Sequence, residues 1–303
     1  MISFRPIHLK DKQQYEAYLF QEGKRGCEYT FANLCLWGKQ QIAYLSNQIV
    51  FFSQFDKLKI YAFPFGEGDK KDAIDAMIED AKDRKIPFRI SGLNQDSIAY
   101  MEQMYPGMFR YQCPRDSFDY VYDIDDLADL KGKKYQKKRN HYNRFRKENP
   151  DYTAELLNEQ NLPKVIEMLN IWYEEKLVEN PDSDFDMEKS ALLKALKNYK
   201  ELEMVGLVLL KEERVIAMTL GSQMTSDTFD VHFEKACSDI NGAYAAINSE
   251  YAQFIRMQYP HIKFLNREED MGLEGLRKAK ESYYPHHLVE KCWGIMREDS
   301  HDN

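Results

Sequence analysis

Twice along the chain the same order of elements can be read: two helices, three short β-rich runs, then a helix, a strand, a helix and a strand. Three runs separated by tight turns pair antiparallel, whereas a strand–helix–strand step returns the chain parallel, so this order restricts the fold strongly. In the first half the spacing predicts helices over 11–22 and 28–37, strands over 41–45, 49–53 and 58–65, and a helix over 70–85. Asn47 and Asp56-Lys57 mark the turns. Ala73, Ile74, Met77, Ile78 and Ala81 recur at helical spacing, and Pro87 ends the run. A strand at 88–90, a helix at 96–104 and a strand at 118–124 complete the half. The second half predicts helices over 163–179 and 187–198, and strands over 204–210, 215–221 and 228–234. A helix over 241–258, a strand over 262–265, a helix over 272–281 and a strand over 288–296 follow. The expected class is α/β of the α+β kind, with mixed, mostly antiparallel sheets flanked by helices. The expected division is 1–130 and 151–303, joined by a linking helix over 131–150.

A length of 303 residues suits two domains, and 43% hydrophobic with 30% charged residues is a globular composition. The net charge of −8 repels nucleic acid and anionic membranes except where basic residues gather. Cys27, Cys35, Cys113, Cys237 and Cys292 form no CxxC pair, and this odd, scattered set suits reduced thiols in a cytoplasmic protein. The N-terminus has no apolar signal core, and the longest aliphatic run, 205–210, is far shorter than the roughly 20 residues that span a bilayer.

Between the halves, residues 131–147 hold nine Lys or Arg and no acid. On a helix Lys133, Lys137, Asn140, Arg144 and Lys147 share one face, and Tyr135, Arg139, Tyr142 and Arg146 another. Like charges at i,i+4 repel, so such a run suits a phosphate-bearing ligand, with Arg139, Asn140, Asn143 and Arg144 adding directed hydrogen bonds. It also suits a solvated face paired with Asp123, Asp125, Asp126 and Asp129. Tyr142 and Phe145 are the expected anchors.

A second rich segment follows the strand at 262–265, whose C-terminal end points at Asn266, Glu269 and Asp270. That end is where α/β sheets bind ligands. Arg277 and Lys280 lie on the next helix, where they fit either a ligand or ion pairs with Glu274 and Glu281. The run 130–145 and the pattern Asn266-x3-Asp270-x-Gly272-x2-Gly275-Leu-Arg277-x2-Lys280-x-Ser282-x2-Pro285 resemble the signatures of the DUF2156 family. That family is similar to the C-terminal domain of phosphatidylglycerol lysyltransferases. The resemblance implies tandem folds of the GCN5-related N-acyltransferase (GNAT) kind, related to the FemABX transferases, and transfer of an aminoacyl group from tRNA. It leaves a lipid or a peptide as the acceptor. Acyl-CoA enzymes of this fold hold pyrophosphate on a glycine-rich loop. The equivalent junction here, 234–243, keeps only small residues at a helix start, which can still hold an anion.

The expected function is therefore transfer of an activated acyl or aminoacyl group to an amine or hydroxyl. The donor is aminoacyl-tRNA by preference and acyl-CoA as the alternative, with no tightly bound cofactor and no metal. A non-catalytic module binding RNA or phospholipid head groups is a further alternative. Glu234 or His232 would accept a proton, with His232, Asp230 and Glu234 alternating onto one strand face, and Tyr244 or Tyr283 would protonate the leaving oxygen.

Overall fold

The computed structural model describes residues 1–22, 26–38, 40–45, 47–55, 58–179, 181 and 185–297. The first part of the chain runs β1 (Arg5–Pro6), α1 (Lys12–Glu22), α2 (Phe31–Trp37), β2 (Gln40–Leu45), β3 (Gln48–Phe55), β4 (Leu58–Ala62), β5 (Phe65–Gly66), α3 (Lys70–Asp83), β6 (Arg89–Leu93), α4 (Gln95–Met104), β7 (Phe109–Gln112) and β8 (Asp119–Asp123). It continues α5 (Ile124–Asp129), α6 (Gln136–Glu148), β9 (Thr153–Leu156), α7 (Leu162–Glu179), α8 (Asp186–Lys197), β10 (Val205–Lys211), β11 (Arg214–Gln223), β12 (Thr228–Ala236), α9 (Ala243–Gln258), β13 (Phe264–Asn266), α10 (Glu274–Glu281), β14 (His287–Val289) and β15 (Cys292–Met296).

Two compact units result. One contains Met1–Asp119, Glu269–Glu274 and the chain from Leu288 onward, and the other Tyr120–Glu268 and Gly275–His287. The first has the sheet order β1-β2-β3-β4-β6-β15-β7, with β5 also on β3. The meander β2-β3-β4 is antiparallel, and the β4-α3-β6 step makes a parallel pair. Asp69 caps α3 by accepting from the Lys71 amide at 2.9 Å. The predicted stripe of Ala73, Ile74, Met77, Ile78 and Ala81 is buried with Val50, Tyr61 and Ile90. The expected strand over 58–65 breaks after Ala62, because Pro64 cannot donate to a ladder. The turn expected at Asp56-Lys57 lies outside the described residues.

The second unit has the sheet order β14-β8-β13-β12-β11-β10-β9. It repeats the plan: β10-β11-β12 is an antiparallel meander, and β12-α9-β13 makes the parallel pair. Ile247, Tyr251 and Ile255 of α9 are buried, as are Val165, Leu169 and Tyr173 of α7. Both units are GNAT-like folds of mixed, mostly antiparallel sheets flanked by helices. The strand after each crossover has an unexpected partner. β8, expected to close the first half, pairs with β13, whereas β15, at the end of the chain, pairs with β6. The single strand expected over 288–296 is two strands in different sheets. The expectation of five reduced cysteines is corrected as well. Cys113 and Cys292 form a disulfide with Cα atoms 4.2 Å apart, because β15 lies beside β7.

Candidate functional site

β12 and β13 pair over only three residues, ending at Asp230 opposite Asn266. β12 then runs on to Ala236, while the next residue of the other strand, Arg267, donates its amide to the Tyr120 carbonyl of β8 at 2.9 Å. The parted carboxyl ends of parallel strands leave a crevice. Arg267 fills it with a side chain only 15% exposed. Its Nη2 donates to Glu234 Oε1 at 2.9 Å, and Asn248 of α9 donates to Glu234 Oε2 at 3.3 Å. The guanidinium lies 5.0 Å from the ring centre of Tyr283 and 5.6 Å from that of Tyr122. Nη1 is sealed from solvent and has no hydrogen-bond partner among the described residues.

A second cation comes from α6. Tyr135 and Phe145 are fully buried, and the Tyr142 hydroxyl donates to Glu250 at 2.5 Å. These aromatics follow 3.6-residue spacing, and Lys138 occupies the remaining place on their face. Its Nζ lies 3.9 Å from the Tyr283 ring centre and makes no hydrogen bond or ion pair among the described residues. Burial first, and the nearby Arg267 charge second, lower its pKa to about 8 against the opposing pull of Glu234. Burial also raises the pKa of the Tyr283 hydroxyl, so that hydroxyl stays protonated at neutral pH. Two positive donors thus lie against one ring, with Glu234 bonded to only one of them. One Arg267 N–H and one ammonium suit a single negatively charged oxygen.

The structure brings Glu234 and Tyr283 into this cluster and sets the other expected residues elsewhere. A bulge opposite Leu220 and Gly221 interrupts the alternation of β12, so His232 does not share the surroundings of Glu234. His232 lies with Nε2 2.8 Å from Ser222 Oγ, and with Nδ1 3.2 Å from Glu268 and 3.4 Å from Asp230. The Tyr244 hydroxyl accepts from Trp172 Nε1 at 3.2 Å. Asn266 is buried and accepts from the Glu268 amide. Asp270, in the first unit, is buried, accepts from the Gly272 amide and lies 3.6 Å from Arg115. Lys280 is buried and donates to the Arg267 and Glu268 carbonyls, bracing the turn that carries Arg267. Arg277 is half-buried on α10.

The basic helix is shorter than expected: Lys131, Lys133 and Lys134 lie in the loop and turn before α6, so Lys133 does not join the helical face of Lys137, Asn140, Arg144 and Lys147; all of these and Asn143 are exposed. Part of their charge is met by acids: Lys131 pairs with Asp129, Lys134 with Asp126 and Arg144 with Glu148. Arg139 points back to the Leu130 and Gly132 carbonyls and holds the loop before the helix. Asn143, Arg146 and Lys147 line an open depression of about 670 Å³ with Tyr152 and Ala154. The start of α9, expected to hold an anion, approaches α6 at half-buried Gly242, and Tyr244 in its first turn is exposed. Gly242 has φ 78°, and a Cβ there would lie 2.5 Å from the His141 carbonyl of α6.

Reasoning from sequence alone left Lys138 and Arg267 out of the site. The signal for Lys138 is its place among the helix aromatics. Arg267 stands alone as a base between Asn266 and the acids Glu268, Glu269 and Asp270.

Two described groups have metal-ligand chemistry with ligand atoms within 4.8 Å: Asp230, His232 and Glu268, and, in the first unit, Cys27, Asp119 and Glu269. In the latter, the Lys291 ammonium lies 2.6 Å from both Asp119 and Glu269. Burial disfavours that ammonium, but the surrounding Cys27, Glu28, Asp119 and Glu269 outweigh it and hold its pKa well above the ordinary value.

The family profile described as "Phosphatidylglycerol lysyltransferase, C-terminal" matches residues 21–293. A conserved protein of unknown function from Bacteroides thetaiotaomicron VPI-5482 is 36% identical, with a TM-score of 0.93 over 98% of this chain and 100% of its own. L-PGS from Bacillus licheniformis has a TM-score of 0.69 at 17% identity, over 96% of this chain and 93% of its own. FemX has a TM-score of 0.60 at 10% identity, over 98% of each chain. No curated protein matches the sequence. Among the described residues no helix is long and apolar enough to cross a membrane.

Proposed function

Because the chain belongs to the phosphatidylglycerol lysyltransferase C-terminal family, we propose that it is a group transferase passing an aminoacyl group from the ester of a charged tRNA to an acceptor amine or hydroxyl. The observation that carries this reading is the buried, unsatisfied Nη1 of Arg267 beside Lys138 and the Tyr283 ring. A buried donor without a partner costs free energy, and an oxyanion that exists only during acyl transfer would satisfy it. Glu234, with both oxygens engaged, holds the guanidinium in place. The exposed Lys133, Lys137 and Lys147 hold phosphates of the donor. The junction 234–243 lacks the glycine-rich pattern on which acyl-CoA enzymes of this fold hold pyrophosphate, which favours tRNA over CoA as the donor.

The test is incubation of the purified protein with tRNA charged with labelled amino acids and, separately, with labelled acetyl-CoA, each with lipid vesicles or small amines as acceptors. The expected result is loss of label from tRNA faster than spontaneous hydrolysis, abolished in Arg267→Met. Consumption of acetyl-CoA alone, or of neither donor, overturns the reading.

A further inference from the structure

Acyl transfer also needs a group that moves a proton, and the cluster holds five titratable side chains, of which Tyr122 is engaged in donating its hydroxyl to the Lys280 carbonyl at 2.8 Å. Glu234 has both oxygens bonded, by Arg267 and Asn248. Arg267 keeps its charge beside Glu234. The Tyr283 hydroxyl holds its proton because of burial. Lys138 alone among these described groups reaches the cluster with an Nζ that makes neither a hydrogen bond nor an ion pair.

We infer that Lys138 is the proton-transferring residue of this site: its free amine takes the proton of the attacking acceptor, and the resulting ammonium gives it to the leaving oxygen of the donor. The inference rests on the transferase reading above. The acceptor's lone pair forms the new bond to the carbonyl carbon, and the C=O π pair moves onto oxygen, facing Arg267 Nη1. Lys138 binds the proton released by the acceptor. When the oxyanion collapses, the ester C–O bond breaks, and its electron pair on the leaving oxygen takes the proton back from Lys138. The residue ends as it began, and no co-reactant is consumed.

Burial first, then Arg267 following β13 and Glu234 on β12, set its proton affinity; the titratable Tyr283 following α10 also faces it, while Tyr142 and Phe145 of its own helix and Tyr135 at the helix N-cap share that face. With a pKa of about 8, both forms of the amine are populated near neutral pH, which is where proton transfer in both directions is fastest.

Competitive acylation of Lys138 with trace acetic anhydride across pH, read by mass spectrometry, measures its titration without turnover. A midpoint near pH 8 that moves up in Arg267→Met is expected, and a midpoint near 10 overturns the inference. In steady-state transfer, Lys138→Ala and Lys138→Arg should lower kcat by about 100- to 10,000-fold with little change in donor KM. The rise of kcat/KM through pH 8 should vanish, and small tertiary amines, which can move a proton but form no stable amide, should restore turnover to Lys138→Ala. Wild-type kcat in Lys138→Arg, or no amine rescue, overturns the role of Lys138 while leaving the transferase reading in place. Failure of the wild-type protein to consume any charged tRNA overturns both.

Discussion

Replacing Glu234 by Gln tests the central claim that a buried ion pair presents Arg267 to the reaction. The two side chains are only 10% and 15% exposed, and the carboxylate is the one ion-pair partner of the guanidinium among the described residues. Removing one member of a buried pair leaves an uncompensated charge, at a cost of roughly 3–5 kcal/mol. Gln keeps an oxygen that can accept from Nη2, so the lower end, about 3 kcal/mol, is expected. Replacing both residues, as Glu234→Gln with Arg267→Met, removes the stranded charge and should recover about 2 kcal/mol of that loss. Urea unfolding followed by far-UV circular dichroism and fluorescence gives the four free energies of the cycle. Both variants carrying Met at 267 should also lose transfer, whatever their stability. A Glu234→Gln loss below about 1 kcal/mol, or effects that add to within about 0.5 kcal/mol, would refute the pair as the device that holds Arg267.

Charge reversal at Lys133, Lys137 and Lys147 should weaken tRNA binding and flatten its salt dependence by about 0.7–0.9 in log–log slope for each phosphate no longer neutralised, measured by filter binding at several salt concentrations. Gly242→Ala combines φ 78° with a Cβ 2.5 Å from the His141 carbonyl, so it should destabilise by about 1–3 kcal/mol in urea and, by displacing α6, lower transfer as well. The hydrogen bond from Arg256 first, and that from Lys131 second, lower the Asp129 pKa to about 2 from 3.8. Because the folded value is the lower one, the stabilisation is complete above about pH 4 and lost as pH falls toward 2. The stability gap between wild type and Asp129→Asn should close over that window in acid unfolding experiments.

Local chemistry made much of the fold legible. Asp69 and the apolar spacing of 73–81 specify α3 and its buried face. Long-range pairing was not legible. Nothing in Asp119–Asp123 or Cys292–Met296 says which sheet each will join, because strand propensity fixes conformation and leaves the partner open. Cys113 and Cys292, 179 residues apart, meet only because of that pairing. β9 gives no sequence signal because all four of its residues are exposed, which removes the alternation that marks a half-buried strand.

The site was legible to the level of its segments, and its chemistry depended on which face of each was turned inward. Counting charges over 131–147 favours Lys133, Lys137 and Arg144, which are exposed and, where paired, meet acids in water. Such pairs contribute little to stability. Lys138 differs because Tyr135, Tyr142 and Phe145 turn its face toward the second unit's interior, where an ammonium loses hydration and feels Arg267 at low dielectric. The informative pattern in a basic helix is therefore the lysine placed among aromatics at 3.6-residue spacing. The same reasoning separates Arg267 from Lys280: both lie near the end of β13, but Lys280 uses its ammonium on backbone carbonyls, whereas Arg267 keeps one N–H without a partner and so retains a donor for chemistry.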